Sequence, residues 1–551
     1  MAVAISVTDL EFGYPGAETL FFEVSFKVAE GERAALIGDN AVGKSTLLRI
    51  LAGQLQAEEG TVQIDGTVLH MPQSIGQQDD PITVREFMAA LSSPRIRIAA
   101  ETLWSAERAN QTDATTASGM ELAAAISEWE GAGGFEVESH WDACTTVVLR
   151  QHLSDAALRP VRELSGGERK RLALEFLLSS DVEALVLDEP DNFLDIPAKR
   201  WLERQLIGSR KTILMISHDR ELLTRAVDKV VTLEGSGAWV HGASFATYHE
   251  ARDARNRRLG DALQRWKHEE RRLYWHFKIM KQRASVNDGN APRAKAAETR
   301  WEKFVAAGPP PAPPPDQRVS MNLSGGDSGR VVLRSTHLEL SGLTDPFSVE
   351  VRYGDRLVVL GANGSGKTHF LKLLAGDNVA HEGELRTGAR VEPGAFSQTN
   401  DRGDLHGRTP SEVLSDHLSG REAIMRSLAR YGLADVWDLD FAQLSGGQQA
   451  RLQILTLEAQ GANLLLLDEP TDNLDLISAE ALEEALLGFR GTVVAVTHDR
   501  WFMRSFGRFL IFGLDGSVTE ALDLSSALSV IGDAPTEARA HLVPLSSSRS
   551  Q

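Results

Sequence analysis

The octapeptide GDNAVGKS, residues 38–45, returns as GANGSGKT at residues 361–368. Both fit GxxxxGK[S/T], a loop whose glycines let successive backbone N–H groups curl round the β- and γ-phosphates of a nucleotide. Each copy follows a short apolar run (residues 34–37 and 357–360) and precedes a helical pattern. In that setting a helix N-terminus adds its partial positive charge. Lys44 and Lys367 would place a point charge on the phosphates, and the hydroxyls of Ser45 and Thr368 suit Mg²⁺. Gly38, Asn40, Gly43 and Thr46 belong to the first cradle, and Gly361, Asn363 and Gly366 to the second.

Three further motifs repeat in the same order. LSGGE (residues 164–168) returns as LSGGQ (444–448), LVLDEP (185–190) as LLLDEP (465–470), and SHDR (217–220) as THDR (497–500). Ser165 to Asp188 and Ser445 to Asp468 are both 23 residues, and each aspartate precedes its histidine by 30. The chain is therefore two copies of one unit. LVLDEP and LLLDEP read as parallel strands buried on both faces, so an α/β fold is expected. Asp188 and Asp468 suit a magnesium shell, while Glu189 and Glu469 beside them can polarise an attacking water. His218 and His498 end the strands KTILMIS and TVVAVT, where an imidazole can hydrogen-bond a γ-phosphate. Gln73 in MPQ and Gln398 in FSQ could complete the metal or water shell.

Composition narrows the class. Of 551 residues, 42% are hydrophobic and 25% charged, ordinary for a globular protein. The lone cysteine, Cys144, excludes an intrachain disulfide framework and a cysteine-based zinc site and reads as a buried small residue. No run approaches the ~18–20 apolar residues that span a bilayer. The opening MAVAISVTDLEFGY lacks a charged n-region and is not expected to be a signal peptide. The net charge of −19 argues against a chain that coats nucleic acid over its whole surface.

Charge is unevenly spread. Residues 251–305 carry 15 Lys and Arg against 7 Asp and Glu, a local net of +8, which leaves −27 on the remainder. Trp266, Tyr274, Trp275, Phe277, Trp301 and Phe304 are interleaved with these charges. A long helix from Tyr248 to about Lys281, a turn in SVNDGNAP (residues 285–292) and a return helix over residues 294–305 predict a helical hairpin. AAGPPPAPPPD, residues 306–316, follows as a semi-rigid spacer. The first copy is also about 45 residues longer between Gln73 and Ser165 than the second between Gln398 and Ser445. The excess falls within about residues 99–139, and residues 118–129 have helical periodicity.

With LSGGE and LSGGQ, the chain resembles the ATP-binding cassette superfamily over roughly residues 4–248 and 330–522. The resemblance implies two P-loop cassettes in tandem, joined by an α-helical hairpin linker, with ATP sandwiched head to tail between them. Site one would then combine Lys44, Ser45, Gln73, Asp188, Glu189 and His218 with Ser445, Gly446 and Gly447. Site two would combine Lys367, Thr368, Gln398, Asp468, Glu469 and His498 with Ser165, Gly166 and Gly167. Both keep a base candidate, so two hydrolytic sites with ATP and Mg²⁺ as cofactors are expected. The expected domains are 1–248, a first cassette with its inserted arm; 249–322, the basic hairpin and proline-rich spacer; 323–522, a second cassette; and 523–551, a tail, loose after about residue 533.

Tandem cassettes, a charged helical linker and no membrane segment look like the ABC-F family. Its members act on the ribosome, some regulating elongation and others protecting against antibiotics. The resemblance implies a cytoplasmic ATPase, monomeric with intramolecular cassette pairing, that contacts rRNA or tRNA through residues 250–305 and inserts into no membrane. The alternative is the ATPase subunit of a transporter, such as a drug or macrolide exporter, with separate membrane subunits. The family's EPTNHLD segment reads EPDNFLD at residues 189–195 and EPTDNLD at 469–475. Tyr14, 24 residues before Gly38, is placed to stack on adenine. The same offset in the second copy falls on His337, so site two is expected to bind ATP more weakly or turn over differently.

Overall fold

The computed structural model describes residues 3–75, 82–234, 237–287, 290–314, 319–397, 405–532 and 542–544. Met1–Val240 and Arg318–Gln551 form one compact unit and His241–Gln317 a second. In the first cassette a six-stranded sheet runs in the order Val68–Met71, Ala184–Asp188, Thr212–Ile216, Arg33–Gly38, Lys229–Leu233, Ala238–His241. Its first five strands are parallel. Ala184–Asp188 and Thr212–Ile216 are buried at every residue, which is why they read as unbroken apolar runs. The strand order brings the carboxyl ends of Arg33–Gly38, Ala184–Asp188 and Thr212–Ile216 side by side. The phosphate loop, the paired carboxylates and the histidine therefore emerge at one edge, where ligands bind in open α/β sheets.

A three-stranded antiparallel sheet, ordered Thr19–Ala29, Val3–Gly13, Glu59–Ile64, closes the other side of the core. Leu47, Leu48, Ile50 and Leu51 of helix Lys44–Leu51 join both sheets in one cluster with Phe21, Leu36 and Val186. Gly43 opens that helix at φ 102°, and a Cβ there would stand 2.7 Å from the Phe21 ring. The loop thus needs glycine both for conformation and for closeness.

The second cassette repeats the plan with seven strands: Pro393–Phe396, Leu464–Asp468, Thr492–Val496, Arg356–Gly361, Arg508–Phe512, Val518–Ala521, Leu542–Pro544. The first five are parallel and the last two antiparallel. Beyond residue 522 the described chain adds a helix and a short strand. Helix Leu524–Ile531 buries Ala527 and packs Leu524, Leu528 and Ile531 on the core, and Leu542–Pro544 extends the sheet. Residues 533–541 and 545–551 lie outside the described residues.

The longer first copy contains helices Pro94–Thr112, Thr116–Gly131 and Gly134–Leu149. Trp129 and Trp141 pack with ring centres 6.0 Å apart. Cys144 is buried, its Sγ 3.9 Å from Ser179 Oγ.

The second unit is a helical hairpin of Tyr248–Val286 and Ala291–Ala306. Its long helix spans about 58 Å at 1.5 Å per residue. Trp301 stacks on Phe277 (5.8 Å, 5° between planes), meets Tyr274 at 5.6 Å and donates from Nε1 to Glu270 Oε1 at 3.1 Å. Trp266 stacks on Phe304 at 5.4 Å. Five of the six interleaved aromatics therefore fill the seam between the helices, leaving Trp275, 63% exposed, as the outward-facing one. Helix spacing decides this: residues 266, 273 and 277 fall on one stripe.

Candidate functional site

Both phosphate loops meet the opposite cassette's signature. A cavity of about 400 Å³ is lined by Tyr14, Asn40, Lys44, Ser45, Gln73, Glu189 and His218 of the first cassette and by Ser445, Gly446 and Gly447 of the second. Gly447 lies against the phosphate loop: a Cβ on it would be 2.5 Å from Asn40 Nδ2. Each signature serine is the N-cap of its own helix, Gly166–Ser179 or Gly446–Gln460. The backbone N–H of Glu168 donates to Ser165 Oγ (3.2 Å), and that of Gln448 to Ser445 Oγ (3.3 Å). In return Glu168 Oε2 accepts from the Ser165 N–H, and Gln448 Oε1 from that of Ser445. LSGGE and LSGGQ are thus capping boxes that aim a helix N-terminus across the interface.

In site one, Lys44 Nζ donates to the carbonyls of Gly38 (2.8 Å) and Asp39 (2.9 Å). Burial lowers its pKa, opposed by Asp475 of the second cassette and then by Glu189. The Ser45 hydroxyl bonds Asp188, whose pKa burial raises. Asp188 Oδ1 is buried with no hydrogen-bond partner. Glu189 Oε2 accepts from Gln73 Nε2 (2.8 Å) and Asn192 Nδ2 (2.5 Å). Burial, then Asp188, raises the pKa of Glu189. Its backbone has φ 49° and that of Glu469 φ 47°, a conformation that costs a non-glycine residue and clusters at functional positions. Burial, then Lys44, pulls His218 down to about 4, so it is neutral at pH 7.

Site two is a cavity of about 290 Å³ lined by Ser165, Gly166 and Gly167 of the first cassette and Asn363, Glu469 and His498 of the second. Lys367, Thr368 and Asp468 are not in that lining. Lys367 Nζ still donates to the carbonyls of Gly361 and Ala362, both at 2.9 Å. Glu469 Oε2 accepts from the backbone N–H of His498 at 3.0 Å. Burial, then Asp472, raises the Glu469 pKa well above the usual range. Asp472 stands where the first copy has Asn192, so the two carboxylates have opposite neighbours. Gln398 lies outside the described residues.

The offset that paired Tyr14 with His337 is corrected by the strands. Tyr14 lines site one, with its hydroxyl 3.1 Å from Thr46 Oγ1. His337 instead sits in a bulge of strand Val331–Leu340 at φ 48°, its carbonyl against Gly383. Its counterpart is Asp9, at φ 47° against Gly60. Aligning the bulges puts Gly342 opposite Tyr14. The loops after these strands differ in length, so a fixed count slips there.

Several interface residues escaped the motif reading. Arg220 reaches Glu483, and Arg500 reaches Glu203, across the cassettes. From the signature onward the copies are offset by 280 residues, and the pairs 220/500 and 203/483 obey that offset, which was the available signal. Lys170 and Lys199, buried in the first cassette, have Ala450 and Ala479 at the matching places.

The ABC transporter family model matches residues 21–192 and 344–472. A protein of Mycobacteroides abscessus described as an antibiotic resistance protein is 47% identical over 94% of this chain and 99% of its own length. The tylosin resistance ATP-binding protein TlrC of Streptomyces fradiae is 32% identical, covering 87% of this chain and 91% of its own. ATP-binding cassette sub-family F member 3 of Rattus norvegicus is 30% identical, covering 94% and 72%.

Proposed function

Because this chain belongs to the ABC-F family of ATP-binding cassette ATPases, we propose that it works on the ribosome, in translation regulation or in protection from antibiotics. The observation that carries this reading is the hairpin His241–Gln317, a unit of its own between two cassettes. Its net +8 sits in a chain of −19. A membrane-subunit partner has no use for such a basic element, whereas a polyanion does. Trp275 and the exposed Arg271, Arg272, Lys278 and Arg283 are the groups that would meet rRNA or tRNA. No helix among the described residues is long and apolar enough to cross a membrane, and the working compartment is proposed to be the cytoplasm. The resistance names of two relatives support the antibiotic branch.

Each composite site is proposed to bind and hydrolyse ATP. Lys44 and Lys367 hold the β- and γ-phosphates. The signature helix N-termini cover the γ-phosphate from the other side and make cassette closure depend on it. Tyr14 stacks on the base at site one. The orphaned, buried Asp188 Oδ1 and the Ser45 hydroxyl bonded to Asp188 are oxygen donors of the kind Mg²⁺ takes, and Gln73, bonded to Glu189, would complete the set. Asp468 and Thr368, with Gln398, are the matching set in site two. Bound there, the ion would neutralise phosphate charge. Glu189 and Glu469 accept a proton from the attacking water. A carboxyl raised by burial is the better base near neutral pH. His218 and His498, held neutral, donate one hydrogen bond to the γ-phosphate. Residues 1–248 and 323–522 would be the two ATP-driven arms and residues 249–322 the reporter.

The test is the double variant Glu189→Gln with Glu469→Gln, sedimented with ribosomes. ATP should hold it closed and increase ribosome association at moderate salt, and removing residues 250–305 should abolish association while ATP binding persists. If ATP leaves association unchanged, the ribosomal reading fails.

A further inference from the structure

Lys199 has no twin. It lies in helix Ile196–Gly208, is only 8% exposed, and its counterpart in the second cassette is Ala479. Its Nζ stands 3.1 Å from Asp219 Oδ2. Asp191, Asp472 and Asp499 are the other carboxylates that act on it. Two of the four come from each cassette, and each lies close in sequence to a proposed site residue. Asp191 and Asp472 follow Glu189 and Glu469, and Asp219 and Asp499 follow His218 and His498. Lys199, Asp191 and Asp472 line the site-two cavity with Glu469 and His498. Asp472 also lines site one.

Other cations also face these carboxylates, the buried Lys170 acting on Asp191. Arg500 reaches Asp219 and Arg220 reaches Asp499, each at 3.8 Å, and both guanidiniums are engaged by Glu203 and Glu483. That leaves Asp472 to depend on Lys199, whereas Asp191 is served by Lys170 and Ser217 as well as by Lys199. These two aspartates stand where the family segment EPTNHLD has Thr and Asn, so both unusual carboxylates meet at Lys199, one of two buried lysines with alanine at the matching place. A buried cation shared by carboxylates from both cassettes cannot be released by one cassette without exposing the other's charge.

We propose that Lys199 is a positioning residue that couples the two nucleotide sites, holding the segments after Glu189 and Glu469 in one arrangement so that occupancy of either site is felt at the other. This rests on the composite-site reading above.

The measurement is ATP binding by the full chain, compared with Lys367→Ala (site one alone) and Lys44→Ala (site two alone). Departure of the two-site isotherm from the sum of the single-site isotherms gives the coupling factor, which must be equal from either side. A factor of about fivefold or more is expected, within the usual range of allosteric coupling. Lys199→Met should bring it to within about twofold of unity, and Lys199→Arg should keep it. Should Lys199→Met not fold, Asp472→Asn keeps Lys199 paired with Asp219 and should still lower the factor. Uncoupled sites in the natural chain, or coupling that survives in Lys199→Met or in Asp472→Asn, would overturn the proposal. If the chain binds fewer than two nucleotides, or the two lysine variants do not each remove one, the composite-site reading itself falls, and the coupling with it.

Discussion

Gly447→Ala tests the cross-cassette geometry with a single methyl group. Its Cβ would stand 2.5 Å from Asn40 Nδ2 and 3.1 Å from the Asn473 carbonyl, well inside the ~3.5–4.0 Å of an ordinary contact. Asn40 must swing out of the phosphate loop and Asn473 must yield. Overpacking costs about 1–3 kcal/mol. Because an amide tip can move, the lower part of that range, about 1–2 kcal/mol, applies, a factor of roughly 5–30 in an equilibrium constant. The mirror change, Gly167→Ala, meets Phe193 O at 3.2 Å and Asn363 Nδ2 at 3.5 Å and should cost less than about 1 kcal/mol, under roughly fivefold. ATP affinity is read at site one in a Lys367→Ala background and at site two in a Lys44→Ala background. Gly447→Ala should weaken site one by about 5–30-fold and leave site two within about twofold. Alanine also favours helix over glycine by about 1 kcal/mol, so the melting temperature should hold, separating lost affinity from unfolding. An equal loss at both sites, or a larger loss from Gly167→Ala, refutes the placement of each signature against the opposite phosphate loop.

Arg500 and Glu203 are each 4% exposed and bridge the cassettes. Arg500→Ala should cost about 3–5 kcal/mol, whereas Arg500→Met with Glu203→Leu should be near neutral, read by thermal denaturation. In the hairpin, Trp301→Ala removes the Phe277 stack and should cost about 3 kcal/mol of helix docking, seen as protease sensitivity; Trp275→Ala should leave the hairpin intact and weaken only ribosome association. Burial, then Arg49, holds His70 at about 4, below its ordinary 6.5. The folded state therefore binds fewer protons, and the His70 contribution, complete above pH 6.5, is lost as pH falls toward 4. His70→Asn should flatten that part of the Tm profile, and an unchanged acid slope would show that His70 is not the cause.

Repetition made the fold readable. Each motif carries its own local cause: glycines at left-handed positions, apolar runs that only a doubly covered parallel strand explains, and serines that cap helices. Such causes act within a few residues, so LSGGE and LVLDEP could be placed on a helix start and a buried strand without coordinates. What the sequence hid was set by partners far along the chain. Lys199 and Asp472 are unremarkable as letters, and only packing puts the carboxylates of both cassettes round one ammonium. The slip at His337 has a similar origin, because counting assumes equal loops and only the paired bulges at Asp9 and His337 fix the register. The hairpin aromatics divide by helical face, which periodicity carried but which composition alone obscured.

The two sites therefore differ for reasons that lie outside the shared motifs. Lys44 and Lys367 hold equivalent carbonyls at 2.8–2.9 Å, and both signature helices are capped alike. The difference enters through the residues after the paired carboxylates. Asn192 donates to Glu189, while Asp472 sets a like charge beside Glu469. Lys367 of the same cassette offsets the charge of Glu469, whereas Lys199 offsets that of Asp472. Lys199 comes from the other cassette, in helix Ile196–Gly208. Each site thus draws a charge from the opposite cassette: Lys199 acts on Asp472 in site two, and Asp475 acts on Lys44 in site one.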